Sequence, residues 1–117
     1  MTVLSLPSRS EFDAVFENPD AKASTRDFLI LARAKSDAVS NRIGFVTSKK
    51  KIKRAVDRNR FRRVIREHLR HQAPHPFADY VIIARQTPSE LWNAEFQIQL
   101  NYVFTKVFNR LKQFKKS

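Results

Sequence analysis

The feature that most restricts how this chain can fold is a run of positive charge from Lys49 to Arg70, with eleven Lys or Arg against two acids, Asp57 and Glu67. Such a stretch cannot be buried on all sides, because removing unpaired charge from water is too costly. It must dock with one side and show the other, and the α-helical period supplies that division. At about 100° per residue, Phe61, Val64, Ile65 and His68 gather on one side, and Asn59, Arg62, Arg63, Arg66 and Arg70 on the opposite side. Arg60 flanks the charged face. Arg58 projects near its boundary, in reach of the preceding loop.

The run holds +9 of a formal net charge of +12, which leaves +3 for everything else. A merely solvated helix face mixes signs, whereas one with few acids repels itself unless a partner compensates it. A polyanion is the partner this implies. Arg outnumbers Lys on the presented face, which suits forked contacts to phosphate. Nucleic acid is therefore the first candidate and an anionic membrane surface the second. No stretch approaches the roughly 20 apolar residues that span a bilayer, and the N-terminus lacks a signal peptide's apolar run. The cytoplasm is the expected location, with no membrane partner.

With 117 residues, 42% of them hydrophobic and ten of them Phe, the chain is one domain over 1–117 and too apolar for a disordered basic tail. Ser8-Arg9-Ser10-Glu11 fits a capping box, followed by Phe12, Val15 and Phe16 at helical spacing, and Asn18-Pro19 ends this first helix. Asp27 to Ala34 reads as a strand with Phe28, Ile30 and Ala32 on one face and Leu29 and Leu31 making the other face apolar too. Arg42 to Ser48 reads as a second strand, and a hairpin with the first is the economical pairing. After the basic helix, Tyr80 to Ala84 is a β-branched run suited to an inner strand. Thr87-Pro88-Ser89-Glu90 then opens a last helix with a stripe of Phe96, Leu100, Val103, Phe104, Val107, Phe108 and Leu111. The expected fold is α+β: one domain, order helix, strands, helix, strand, helix, about four strands, and a frayed tail over 112–117.

Other chemistries find little support. The absence of cysteine excludes disulfides, thiolate zinc sites and Cys nucleophiles. His68, His71 and His75 lack a nearby acidic cluster, so no metal site is expected on this chain, and His68 is expected to pack on the inner face of its helix. The sole glycine, Gly44, cannot build a phosphate-cradling loop. In a strand it points instead to close backbone approach. No Ser, His and Asp arrangement stands out. Trp92 reads as a packing anchor.

Arg42-Ile43-Gly44-Phe45 leading to Ser48-Lys49-Lys50, then Lys53-Arg54-Ala55-Val56 and Arg58-Asn59-Arg60-Phe61-Arg62-Arg63-Val64-Ile65-Arg66-Glu67, resembles the signature of the bacterial ribonuclease P protein family. Glu11-Phe12 with Val15-Phe16, Arg26 to Leu31 and Asp79 to Arg85 fall in that family's order, so the resemblance covers roughly residues 6 to 110. The Arg-Asn-Arg tripeptide alone would carry nothing; within this long pattern it is specific.

The resemblance implies that catalysis belongs to a large RNA subunit, which removes the 5′ leader of precursor tRNA with bound magnesium, and that this chain is its accessory protein, one per RNA. It assigns Arg58, Asn59, Arg60, Arg62, Arg63 and Arg66, with Lys49, Lys50, Lys53, Arg54 and Arg70 of the same run, to the catalytic RNA. It also implies a left-handed crossover around the basic helix, opposite to the general handedness rule. A cleft between the first helix and the sheet is implied for the single-stranded leader, mapping onto Phe12, Phe16, Leu29, Leu31, Ala84 and Arg85, with Lys53 near. Aromatic faces beside positive charge are what single strands bind. The plainer reading of Phe12 and Phe16, core residues of an amphipathic helix, stays open at this point. So do two rivals for the whole chain: a structural or ribosomal RNA-binding protein, and an autonomous nuclease.

Overall fold

The structure is a computed structural model describing residues 3–6, 8–34, 40–71, 77–86 and 94–116. In chain order its elements are β1 (Val3–Ser5), α1 (Arg9–Glu17), β2 (Ala21–Ser24), β3 (Phe28–Ala34), β4 (Asn41–Val46), α2 (Ala55–His71), β5 (Ala78–Ala84) and α3 (Ala94–Lys116). Five strands form one mixed sheet in the order β1-β4-β5-β3-β2. Among the described residues no helix is long and apolar enough to cross a membrane.

Local signals explain most of these elements. Ser8 caps α1 by accepting a hydrogen bond from the Glu11 N–H, and α1 stops at Asn18. In β3, Phe28, Ile30 and Ala32 enter the main core, while Leu29 and Leu31 face α1. The two apolar faces thus belong to two cores: a large one between the sheet and helices α2 and α3, and a small one between the sheet and α1, built on Val15, Leu31 and Val81. Inside the large core Phe28 meets Phe61 and Phe96 edge-on, with ring centroids 6.1 and 5.9 Å apart.

The structure departs from the sequence expectation in strand pairing and number. Strands β3 and β4 do not form a hairpin. β5 lies between them, antiparallel to β3 and parallel to β4. β5 is buried on both faces apart from partly covered Ile83, and such a strand belongs in the sheet interior. The sheet has five strands where about four were expected: the three segments read from the sequence and two short edge strands with weak local signals. β1 has three residues, and β2 is Ala-Lys-Ala-Ser, whose alternating burial is clear but whose residues have little strand preference. The connection from β4 through α2 to β5 is the crossover, joining parallel neighbours. The start signal at Thr87 to Glu90, Trp92 and His75 lie outside the described residues. The helical backbone of α3 continues to Lys116, over most of the 112–117 tail.

Candidate nucleic-acid interface

The basic run folds into a loop and the helix α2, and its few apolar side chains decide its orientation. Phe61, Ile65, His68 and Leu69 are buried, with Val64 packed beside them. Ile52, the apolar residue amid Lys49 to Lys53, is fully buried and pins the loop to the core. The residues around it, Lys49, Lys50, Lys53 and Arg54, are exposed.

The arginines of α2 divide into two groups. Arg58, Arg62 and Arg66 are half-buried and held by neutral acceptors. Arg58 donates to the carbonyls of Ile52 and Lys53, both at 2.9 Å. Arg62 donates to Thr47 Oγ1 at 2.8 Å and Asn59 Oδ1 at 2.6 Å, and Arg66 to the Val3 carbonyl and Ser5 Oγ, both at 3.1 Å. These bonds fix each guanidinium without cancelling its charge, so orientation is paid for in advance of binding. Arg60 and Arg63 instead line a depression of about 540 Å³ between α2 and α3, with Val64, Glu67, His68, His71 and Gln97. Glu67 is the acid on this outer side. Its hydrogen bond from Arg70, 2.7 Å long, holds its carboxyl below the ordinary range.

The second region surrounds α1. Val15 is fully buried, Phe12 is half-buried and Phe16 stays 51% exposed. Phe16 is therefore a ring standing between two grooves rather than a core residue. On one side Phe12 and Phe16, with Leu6, Ser8, Arg9 and Asp13, face Phe45 and Val46 across a groove of about 860 Å³. β1 pairs with β4 over Asn41 to Ile43, and among the described residues no strand pairs with that edge of β4 beyond Ile43. On the other side Phe16, Pro19, Leu29, Leu31 and Arg85 line a depression of about 640 Å³ that also includes Lys22, Lys106 and Arg110.

Five of the six predicted cleft residues thus border this pair of grooves. Ala84 does not, and here the structure corrects the expectation. Side chains alternate along β5, so Tyr80, Ile82 and Ala84 enter the large core while Val81 and Ile83 face α1. Ile83, paired in register with Leu29, stands on the cleft side instead.

Sequence reasoning missed the clamp that holds α1 on the sheet. Arg42 of β4 donates from Nη1 and Nη2 to the two carboxylate oxygens of Glu11, both at 3.0 Å, and from Nε and Nη2 to Asp79 at 2.8 and 2.7 Å. Hydrogen bonds to Asp79 and then Glu11 raise the Arg42 pKa still further. The expected close approach at Gly44 is present: a Cβ there would lie 2.9 Å from the Phe12 ring and 3.0 Å from Leu6. Lys22, Lys106 and Arg110 were also missed, since they come from distant parts of the chain. Among the described residues no group of three His, Asp or Glu side chains is placed to hold a metal ion.

Comparison with known proteins gives one answer. The chain is 44% identical over 112 residues to the ribonuclease P protein component of Idiomarina loihiensis, covering 95% of this chain and 89% of that protein. It is 41% identical over 102 residues to the component from Pseudomonas aeruginosa, covering 86% and 72%. Among solved structures, the RNase P protein of Staphylococcus aureus superposes with a TM-score of 0.69 at 28% identity, covering 89% of this chain and 96% of that one. A mutant of the Staphylococcus protein described as defective in mRNA degradation activity gives the same TM-score of 0.69 at 26% identity, over 86% and 85%. The Ribonuclease P family model matches residues 2–108, and with the α+β fold and basic helix in place the chain belongs to the ribonuclease P protein component family.

Proposed function

We propose that α2 and the loop before it bind the ribonuclease P RNA, and that the grooves flanking Phe16 hold the single-stranded 5′ leader of precursor tRNA. The chain is the accessory protein component of the ribonuclease P holoenzyme, a partner of its RNA in tRNA processing. What is proposed is how it does this: Lys49, Lys50, Lys53, Arg54, Arg60, Arg63 and Arg70 meet phosphates as exposed cations, and Arg58, Arg62 and Arg66 as pre-set forks. One protein joins one RNA in the cytoplasm, and the magnesium used in cleavage is held by the RNA.

The observation that carries the leader assignment is the aromatic ring of Phe16, 51% exposed, beside Arg85 in one lining. A helix serving only to close the small core would turn that ring inward, as it does Val15. Leader bases stacked there would distinguish precursor from mature tRNA, which lacks a leader. The test is addition of the purified protein to a bacterial ribonuclease P RNA at low magnesium with leader-bearing tRNA. Stimulated cleavage is expected; its absence would sink the reading. The mRNA degradation named for the Staphylococcus protein raises a second reading, autonomous cleavage. Protein without RNA is its control, and cleavage there would favour it.

A further inference from the structure

We propose that the outer face of α3, from Ile98 through Tyr102 to Lys106 and Arg110, is a second single-strand-binding surface, receiving the part of the leader beyond the cleft. The proposal rests on the cleft assignment above and extends it to a helix that the sequence marked only as core-facing. Leu100, Val103, Phe104, Val107 and Leu111 do bury one side of α3. The other side leaves Ile98 64% and Tyr102 61% exposed, more than any other large hydrophobic side chain among the described residues.

Ile98, Tyr102, Lys106 and Arg110 recur every four residues, so they form one stripe, about 18 Å long at the helical rise. The Lys106 ammonium lies over the Tyr102 ring, 5.1 Å from its centre, a cation–π contact that keeps a positive charge at the platform while the ring stays 61% exposed. Arg110 donates to the Lys22 carbonyl at 3.0 Å, which seats it at the β2 edge. Lys106 and Arg110 line the same depression as Phe16, Leu29, Leu31 and Arg85, so the stripe is continuous with the cleft.

The charge favours RNA over a protein occupant. Lys22, Arg85, Lys106 and Arg110 share that lining with no acid in it, and among the described residues none of the four is in an ion pair. A protein partner would call for a broader apolar centre than two side chains. An aromatic platform beside uncompensated cations is the pattern that binds single strands regardless of sequence.

The test uses the protein assembled with a bacterial ribonuclease P RNA, with precursor tRNAs whose leaders are lengthened one nucleotide at a time. Tyr102→Ala is expected to weaken binding about fivefold or more once the leader outgrows the cleft, and to leave short-leader and mature tRNA unchanged. Lys106→Glu should act at the same lengths. Phe16→Ala, by contrast, should weaken every leader-bearing substrate. If Phe16→Ala behaves so and Tyr102→Ala is silent at all lengths, the α3 surface is overturned and the cleft stands. If Phe16→Ala has no effect on any leader, the cleft itself fails. An equal loss for Tyr102→Ala on all substrates, or a change in protein self-association, would show a protein contact or a folding role and also overturn the proposal.

Discussion

Arg42 joins Glu11 through two parallel hydrogen bonds of 3.0 Å while its remaining donors engage Asp79, so one side chain of β4 fastens α1 to β5. The Arg42 side chain is only 18% exposed and Asp79 only 5%. Removing the cation takes the forked Arg42 partner away from a nearly buried carboxylate. Arg42→Ala should therefore lower unfolding stability by about 2–3 kcal/mol, below the cost of breaking a fully buried pair because Glu11 remains partly solvated. Arg42→Lys should recover only part of it, since an ammonium cannot serve both carboxylates in forked geometry. Urea denaturation measures both, and an unchanged midpoint for Arg42→Ala would refute the clamp.

Gly44 exists to admit a ring. With a Cβ placed 2.9 Å from Phe12, Gly44→Ala must push that ring toward the groove it borders. Precursor tRNA affinity should drop about fivefold, with little change for mature tRNA. Gly44→Ala should also lower stability, and the double variant Gly44→Ala, Phe12→Leu should regain part of it, because the contact with the Phe12 ring is relieved while Leu6 at 3.0 Å remains, without regaining leader binding. Equal losses on precursor and mature tRNA would argue against a leader-facing Phe12.

The sequence made the basic helix legible because its charge and its apolar side obey one short period, and α1 because Ser8 and Asn18-Pro19 mark its ends. The pairing of β5 between β3 and β4 was not legible. Strand runs declare their faces, not their neighbours, and proximity in sequence favoured a hairpin that the buried β5 displaces. Ala84 was misplaced by a single residue, which in a strand sends a side chain to the other face. The cluster of Lys22, Arg85, Lys106 and Arg110 had no linear signature at all, since it forms only when the β2 edge meets α3.

His68 should make stability depend on pH. It is 8% exposed, with its ring 5.3 Å from that of Phe104, and desolvation lowers its pKa from the ordinary value. The unfolded chain then binds a proton that the folded chain resists. Stability should be complete above about pH 6.5 and fall as pH drops below that unfolded-state value, levelling once the folded state also protonates. The difference in melting temperature between the wild type and His68→Gln, followed from pH 8 to about pH 5, isolates this group from the carboxylates. A difference that does not change over that range would contradict the assignment.

Arg63 and Arg66 should separate charge from architecture. Arg63 is exposed, while Arg66 is half-buried and donates to the Val3 carbonyl and Ser5 Oγ, tying α2 to the edge strand β1. Both are assigned to RNA phosphates. Each alanine variant should therefore weaken binding to the ribonuclease P RNA and reduce the slope of log affinity against log salt by about one phosphate contact, 0.7 to 0.9 units. Only Arg66→Ala should also lower stability, by about 1 kcal/mol, because the lost donors remove the tie between α2 and β1 and leave β1 with its pairing to β4. Arg63→Ala should unfold within about 0.5 kcal/mol of wild type. Salt titrations of RNA binding and thermal unfolding of the free protein give the two readouts. An unchanged salt slope for Arg63→Ala would remove it from the interface, and wild-type stability for Arg66→Ala would mean that its strand contacts serve only to aim the guanidinium.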